Sequence, residues 1–135
     1  MSSLAPEHWV DLRKSGLTEE TVTRCQISSL RPSDVMKGVD SAYRIPYFDV
    51  SGKKNRLERL KLFPPIERNG TTQKYHQASN TSPSLYLPPL IDWALIASQP
   101  ITLFITEGEK KAACLTQHEI PCIGVAGVWN WRQSL

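Results

Sequence analysis

The run ITLFITEGEKK at residues 101–111 constrains the fold of this chain more than any other stretch. Its first half is apolar and rich in β-forming residues, and it ends in Glu107, a glycine and a helix-forming segment. This order predicts a strand over 101–106, a helix over 108–118 and a second strand over 121–126. Together these elements form a βαβ unit, in which a right-handed crossover joins two parallel strands.

Glu107 is the first candidate functional residue, because ligands of open α/β sheets bind beyond the carboxyl ends of the strands. On a turn at that place, its side chain is free to bind a divalent metal or to act as a general acid/base in phosphoryl transfer. Gly108 lets the backbone turn tightly and approach a ligand, and Glu109 lies beside it. The alternative is structural, since acidic residues also favour the N-terminal end of a helix.

Three consecutive parts are predicted. Residues 1–40 form a helical segment with two short helices, residues 41–89 form a small β-rich subdomain, and residues 90–135 begin with a helix over 90–97 and continue into the βαβ unit. The fold class is therefore α/β, with an α+β N-terminal part.

The β-rich subdomain is predicted from two alternating runs. The first strand covers 43–50, where Pro46 indicates an edge or a bulge, and the second covers 57–63 and ends at the pair Pro64–Pro65.

Charge is distributed unevenly along the chain. The formal net charge is +3, yet the stretch 53–74 contains seven basic residues and two acidic ones. Its strand period of two places Arg59 and Lys61 on one face, and Lys74 and Tyr75 follow on a further short strand. A basic groove with aromatic side chains is typical of proteins that bind single-stranded nucleic acid. A solvated sheet face with charged side chains is the alternative.

Several other functions are not expected. Cys114, His118 and Cys122 are spaced four apart, but a structural zinc site needs a fourth ligand, and a cysteine in the middle of a helix is more often a core residue. The chain has no CxxC pair, no phosphate-binding glycine-rich loop and no run of about 18 apolar residues. Its N-terminus does not resemble a signal peptide, which predicts a cytoplasmic protein without membrane contact.

The order of these motifs resembles that of a known group of proteins. Residues 105–108, with the helix and strand after them, resemble the first motif of the Toprim domain, which bacterial-type DNA primases, topoisomerases and related nucleases share. Upstream, Gln73-Lys74-Tyr75 and Leu85-Tyr86 resemble the "KY" and "LY" elements of the basic subdomain that precedes Toprim in those primases. Residues 15–21 resemble the start of the same region.

Residues 107–112 and 127–131 resemble most closely an uncharacterised family found at the N-termini of phage- and plasmid-type primase/helicase proteins. The resemblance covers most of residues 8–132. It implies that Glu107 is a general acid/base and a member of a Mg²⁺ or Mn²⁺ site. It also implies that Lys74 and Tyr75 lie near template and nucleotide, with Arg59 as a looser match.

The sequence departs from the Toprim pattern in one respect. Toprim catalysis also needs a DxD pair on a later strand, and this chain contains none. One carboxylate cannot build a two-metal site. The chain is therefore expected to be an N-terminal part of a longer replication protein that binds single-stranded DNA or a primer-template and synthesises only when full-length.

Two alternatives stay open at this point. One is a non-catalytic nucleic-acid-binding or regulatory domain. The other is a module that docks a helicase domain of the same polypeptide through Trp93, Trp129 and Trp131. A two-stranded parallel sheet also leaves an apolar edge, so a dimer formed across that edge is a further expectation.

Overall fold

The computed structural model describes residues 4–77 and 84–126, which form a mixed α/β fold with a four-stranded antiparallel sheet and a two-stranded parallel sheet. In chain order the helices and strands are α1 Pro6–Lys14, α2 Glu19–Arg24, β1 Ser28–Ser29, β2 Ser41–Phe48, β3 Lys54–Arg68, β4 Thr71–Gln77, α3 Trp93–Ala97, β5 Phe104–Glu107, α4 Glu109–Gln117 and β6 Cys122–Val125. No helix within these two ranges has the length and apolar character needed to cross a membrane.

The two short helices that the sequence predicts are present and pack on the rest of the protein. Leu12 and His8 of α1 are buried, and Trp9 is half-buried against the core. Thr18 caps α2, because its hydroxyl accepts a hydrogen bond from the amide of Thr21 at 3.2 Å. The helices thus dock on the structure that follows them.

The antiparallel sheet confirms the predicted pair of strands but corrects the length of the second. β3 continues through Pro64–Pro65 to Arg68, so the prediction that the prolines end the strand is wrong. Pairing with β2 ends at Phe63, and the register with β4 shifts between Lys61 and Ile66. Neither β2 nor β4 therefore needs a backbone N–H from Pro64 or Pro65. A sheet tolerates proline at such unpaired positions.

The first predicted strand, β2, contains the irregularity that its proline indicates. Its register with β3 shifts between Pro46 and Phe48, which confirms the predicted bulge. On its other side β2 pairs with the two-residue strand β1 at Tyr43 and Arg44. A strand as short as β1 carries no periodic signal, and the sequence does not predict it.

The predicted βαβ unit is present, with shorter strands. β5 begins at Phe104 rather than at residue 101, because its partner β6 begins only at Cys122, the residue opposite. Glu107 is the last residue of β5 and not part of the turn. The helix predicted from residue 90 likewise begins later, at Trp93.

β5 is the most exposed of the apolar strands. Phe104 is 50% exposed and Ile105 is 67% exposed, since α4 packs mainly on β6. Within residues 4–77 and 84–126, no strand pairs with the outer edge of β5. The apolar edge expected from the sequence is therefore present, and the dimer across it stays a prediction.

Gly124 of β6 lies in close contact with the segment at Tyr86 and with the turn that begins α4. Its backbone exchanges hydrogen bonds of 2.8 and 2.9 Å with that of Tyr86. A Cβ at this position would lie 2.8 Å from the carbonyl oxygen of Gly108 and 3.2 Å from the Cβ of Ala112. A glycine is needed here so that the strand–helix turn after Glu107 can pack directly on β6.

We expect Gly124→Ala to lower the free energy of unfolding by about 1–3 kcal/mol, because the added methyl group overpacks the turn. Urea denaturation followed by circular dichroism measures this change. Ala94→Ser, a change of similar size at an exposed position of α3, should stay within about 0.5 kcal/mol of the wild type. An unchanged urea midpoint for Gly124→Ala would contradict the crowding described here.

His8 is a buried histidine that joins α1 to the sheet. Its Nδ1 lies 2.6 Å from the hydroxyl oxygen of Ser29, and its Nε2 lies 3.0 Å from that of Ser41. Burial lowers the pKa of His8 below its ordinary value of 6.5, in spite of two carboxylates nearby. The folded protein therefore keeps the imidazole neutral at a pH where the unfolded chain protonates it.

This difference predicts a loss of stability in mild acid. Because the unfolded chain binds the proton more readily, the contribution of His8 to stability is present above pH 6.5 and decreases as the pH falls below that value. Urea midpoints at pH 7.5 and 5.5 measure the effect. His8→Gln should reduce the difference between the two midpoints, whereas His118→Gln, at an exposed histidine, should leave it as it is.

Candidate nucleic-acid interface

A cleft of about 600 Å³ lies between the hairpin β3–β4 and the N-terminal end of α4. The residues that the sequence predicts for nucleic-acid binding or catalysis, and those of the adjacent turn, line this cleft: Arg59, Lys61, Lys74, Tyr75, Glu107, Gly108 and Glu109. Its other lining residues among those described are Ser15, Thr72, Gln73, Lys110, Lys111 and Ala126. Candidates that are far apart in the sequence therefore share one surface.

The hairpin contributes an aromatic ring between basic side chains. Lys61 lies opposite Tyr75 in the register of β3 and β4, and Arg59 is on the same face of β3, as its period predicts. The guanidinium carbon of Arg59 lies 4.7 Å from the centre of the Tyr75 ring, and the Lys61 ammonium lies 4.9 Å from it. Both are cation–π contacts, so the ring already has two cationic partners in the protein.

Burial and neighbouring charges shift the pKa values of Lys61 and Tyr75. Burial lowers the pKa of Lys61, and the like charge of Lys110 lowers it further. Burial also raises the pKa of the Tyr75 phenol. Loss of a proton therefore costs Lys61 less than it costs a lysine in water, and the phenol stays protonated at neutral pH.

Glu109 is the first residue of α4, within the helix that the sequence predicts, and its side chain is 3% exposed. Its Oε2 accepts hydrogen bonds from the Tyr47 hydroxyl at 2.7 Å and from Nη1 of Arg59 at 2.8 Å. Burial alone would lower the pKa of Arg59, but the charge of Glu109 reverses this effect and raises it. Burial, together with the same carboxylate, raises the pKa of Tyr47. The favourable position at a helix N-terminus therefore explains only part of the role of Glu109.

A second polar contact fixes α4 to α1. Oδ2 of Asp11 accepts hydrogen bonds from Lys110 at 3.0 Å and from the Tyr43 hydroxyl at 2.6 Å. Burial by itself would raise the pKa of Asp11, but these two donors outweigh it and hold the pKa below its ordinary value. Sequence reasoning misses both Asp11 and Lys110. The available signal is that Asp11 lies three residues after the buried His8, on the same side of the helix.

Glu107 lies at the open end of β5, where its side chain is exposed. The turn after it depends on Gly108, which has a φ of +96° and whose amide donates to the carbonyl of Val125 at 2.7 Å. Among the described residues, no three His, Cys, Asp or Glu side chains come together in a way that could hold a metal ion. Glu109 is engaged by Arg59, so the described residues do not by themselves fit a Mg²⁺ or Mn²⁺ site.

The cleft carries positive charge in excess. Of its five basic lining residues, Arg59 is paired with Glu109 and Lys110 with Asp11. The other three form no ion pair with another described residue: Lys61, Lys74 and Lys111. A concave surface of this charge attracts polyanions.

Other candidates lie away from the cleft. Trp93 is buried, and its indole N–H donates to the carbonyl of Pro88 at 2.7 Å, so it belongs to the core and is not available for docking. Trp129 and Trp131 lie outside the described residues. Of Cys114, His118 and Cys122, for which the sequence predicts no zinc site, Cys122 is buried while His118 is exposed.

Comparison with known proteins gives two matches. A family described as "Domain of unknown function (DUF3854)" matches residues 92–135, about a third of the chain. Among solved structures, the chain is similar to one described as a DnaG primase catalytic domain bound to ssDNA, with a TM-score of 0.56 and 14% sequence identity. A search of curated proteins gives no match.

The structural similarity covers 95% of this chain and 50% of the other, so the chain spans half the length of that primase domain. At 14% identity the similarity concerns the fold. The antiparallel sheet, the helices packed on it and the small parallel sheet together make up a primase-like fold.

Proposed function

We propose that this chain is a primase-like nucleic-acid-binding module that holds single-stranded DNA or a primer-template in the cleft between β3–β4 and α4. The observation that carries the proposal is the convergence of Lys61, Lys74 and Lys111 on one concave surface, with no ion pair to another described residue. Phosphate groups are the natural partners of such a surface. The similar primase domain is described as bound to ssDNA, which supports single-stranded DNA as the first probe.

The cleft favours binding through the nucleic-acid backbone over reading of bases. Its unpaired charges are lysines, which bind phosphates as flexible point charges. Tyr75 is contacted by Arg59 and Lys61 within the protein, which leaves less of its ring available to a base than an exposed aromatic would offer. Binding should therefore depend weakly on sequence and strongly on salt.

The variant Lys61→Ala/Lys74→Ala tests the location of this surface. Fluorescence anisotropy of labelled single-stranded DNA over a salt series gives the affinity and its salt slope. We expect binding at least tenfold weaker at low salt, and a slope reduced by up to about 1.4, since each phosphate contact contributes about 0.7 for a single strand.

The matched control is Arg31→Ala/Lys37→Ala, which removes the same charge at two exposed residues outside the cleft lining. This control should retain most of the affinity. Absence of DNA binding by the wild type at low salt would refute the proposed function. Equal losses in the two double variants would refute the cleft as the binding surface.

We further propose that nucleotidyl transfer, the chemistry that the Toprim resemblance implies, takes place only in a longer polypeptide that supplies additional carboxylates. The described residues bring Glu107 to the cleft without the companions that a metal site requires. The residues present thus favour a non-catalytic binding role for this part of the protein. Glu107 would hold the metal in the longer protein, where Mg²⁺ or Mn²⁺ would neutralise charge at the reacting phosphate.

The variant Glu107→Gln tests DNA binding and catalysis separately. In this chain, without divalent metal, the variant should bind single-stranded DNA at least as tightly as the wild type, because it removes a negative charge from the cleft. In a longer polypeptide that synthesises primers, the same change should reduce synthesis at least a hundredfold. Undiminished synthesis there would refute the catalytic role of Glu107.

A further inference from the structure

Arg59 differs from the other basic residues of the cleft in its surroundings. Its side chain is 13% exposed, and Nη1 lies 2.8 Å from a carboxylate that is itself 3% exposed. Its Nε is buried as well and has no hydrogen-bond partner among the described residues. By contrast, Lys74 is exposed at the rim. The charge of Arg59 is therefore neutralised within the protein.

Glu109, the partner of Arg59, is fixed by a second contact. Oε2 of Glu109 accepts a second hydrogen bond from the hydroxyl of Tyr47, a residue that is 1% exposed. The guanidinium also lies against the Tyr75 ring. If Arg59 turned towards a phosphate, it would leave a carboxylate buried without its counter-charge, which is among the costliest changes in a protein interior.

We propose that Glu109 is a positioning residue that withdraws Arg59 from phosphate binding, so that the phosphates of a bound strand contact Lys61, Lys74 and Lys111 but not Arg59. This inference rests on the nucleic-acid binding proposed above and specifies which cations carry it. It gives Arg59 a role different from the one predicted by its place in the basic segment: Arg59 fixes the ring of Tyr75 and the start of α4.

The same ion pair also sets the position of Glu107. Glu109 begins α4 two residues after Glu107, and its side chain ties that turn to the middle of β3. The distance between the Glu107 carboxylate and the lysines across the cleft thus depends on a contact that, on this proposal, binds no phosphate itself.

Glu109→Gln tests the inference, because the amide keeps the size of the side chain and an oxygen that accepts from Tyr47 while removing the neutralising charge. Arg59 then adds an uncompensated cation to the cleft. We expect the salt slope for single-stranded DNA to become steeper by about 0.7, with tighter binding at low salt. A purely structural role for Glu109 would not steepen the slope.

Arg59→Gln/Glu109→Gln is the companion variant, which replaces the ion pair by two amides of similar size. Its salt slope should equal that of the wild type, whereas Lys74→Ala should lose about 0.7. If Glu109→Gln does not fold, as judged by circular dichroism, the salt slope of Arg59→Gln/Glu109→Gln tests the inference.

Two results would overturn the inference while leaving the proposed function intact. One is a loss of about 0.7 in the slope of the double variant, which would make Arg59 a phosphate contact. The other is a folded Glu109→Gln protein whose slope is unchanged or shallower. If the wild type shows no salt-dependent binding, the proposed function itself fails, and this inference fails with it.

Discussion

The ion pair between Arg59 and Glu109 is the contact on which the shape of the cleft depends. It joins the first residue of α4 to the middle of β3, so the helix cannot shift along the antiparallel sheet without separating Arg59 from a buried carboxylate. Such a pair contributes little net stability, because desolvation offsets the attraction, yet breaking it costs about 3–5 kcal/mol. Its effect is to fix the position of the start of α4 relative to β3.

Helix α4 is held to the rest of the protein at both ends. Near its start, Lys110 binds Asp11 of α1 at 3.0 Å. At its end, the amide side chain of Gln117 donates to the carbonyl of Gly16 and accepts from the amide of Thr18, both at 2.9 Å. These directional contacts surround an apolar interior that includes Ala112. The small side chains of that interior let the helix lie close to the sheet, and the polar contacts fix its rotation.

Local signals in the sequence predict much of this arrangement, and contacts between distant residues explain what they miss. The strand–glycine–helix pattern around Gly108 predicts the βαβ unit, and the period of β3 places Arg59 and Lys61 on one face. The contacts of the Glu109 side chain are not predictable from local signals, because its partners lie 50 and 62 residues away in the sequence. The local sequence does not predict the continuation of β3 past its prolines either, because that continuation depends on where β2 and β4 stop pairing with β3.

The exposed strand β5 predicts a second response to salt. Phe104 and Ile105 present apolar surface, and the net charge of +3 keeps copies of the chain apart at low ionic strength. Added salt screens that repulsion and leaves the apolar attraction in place, so contact between copies becomes more favourable. The same salt would weaken the phosphate contacts proposed for the cleft. Low ionic strength would therefore favour the proposed contact with polyanions, and high ionic strength the predicted contact between copies.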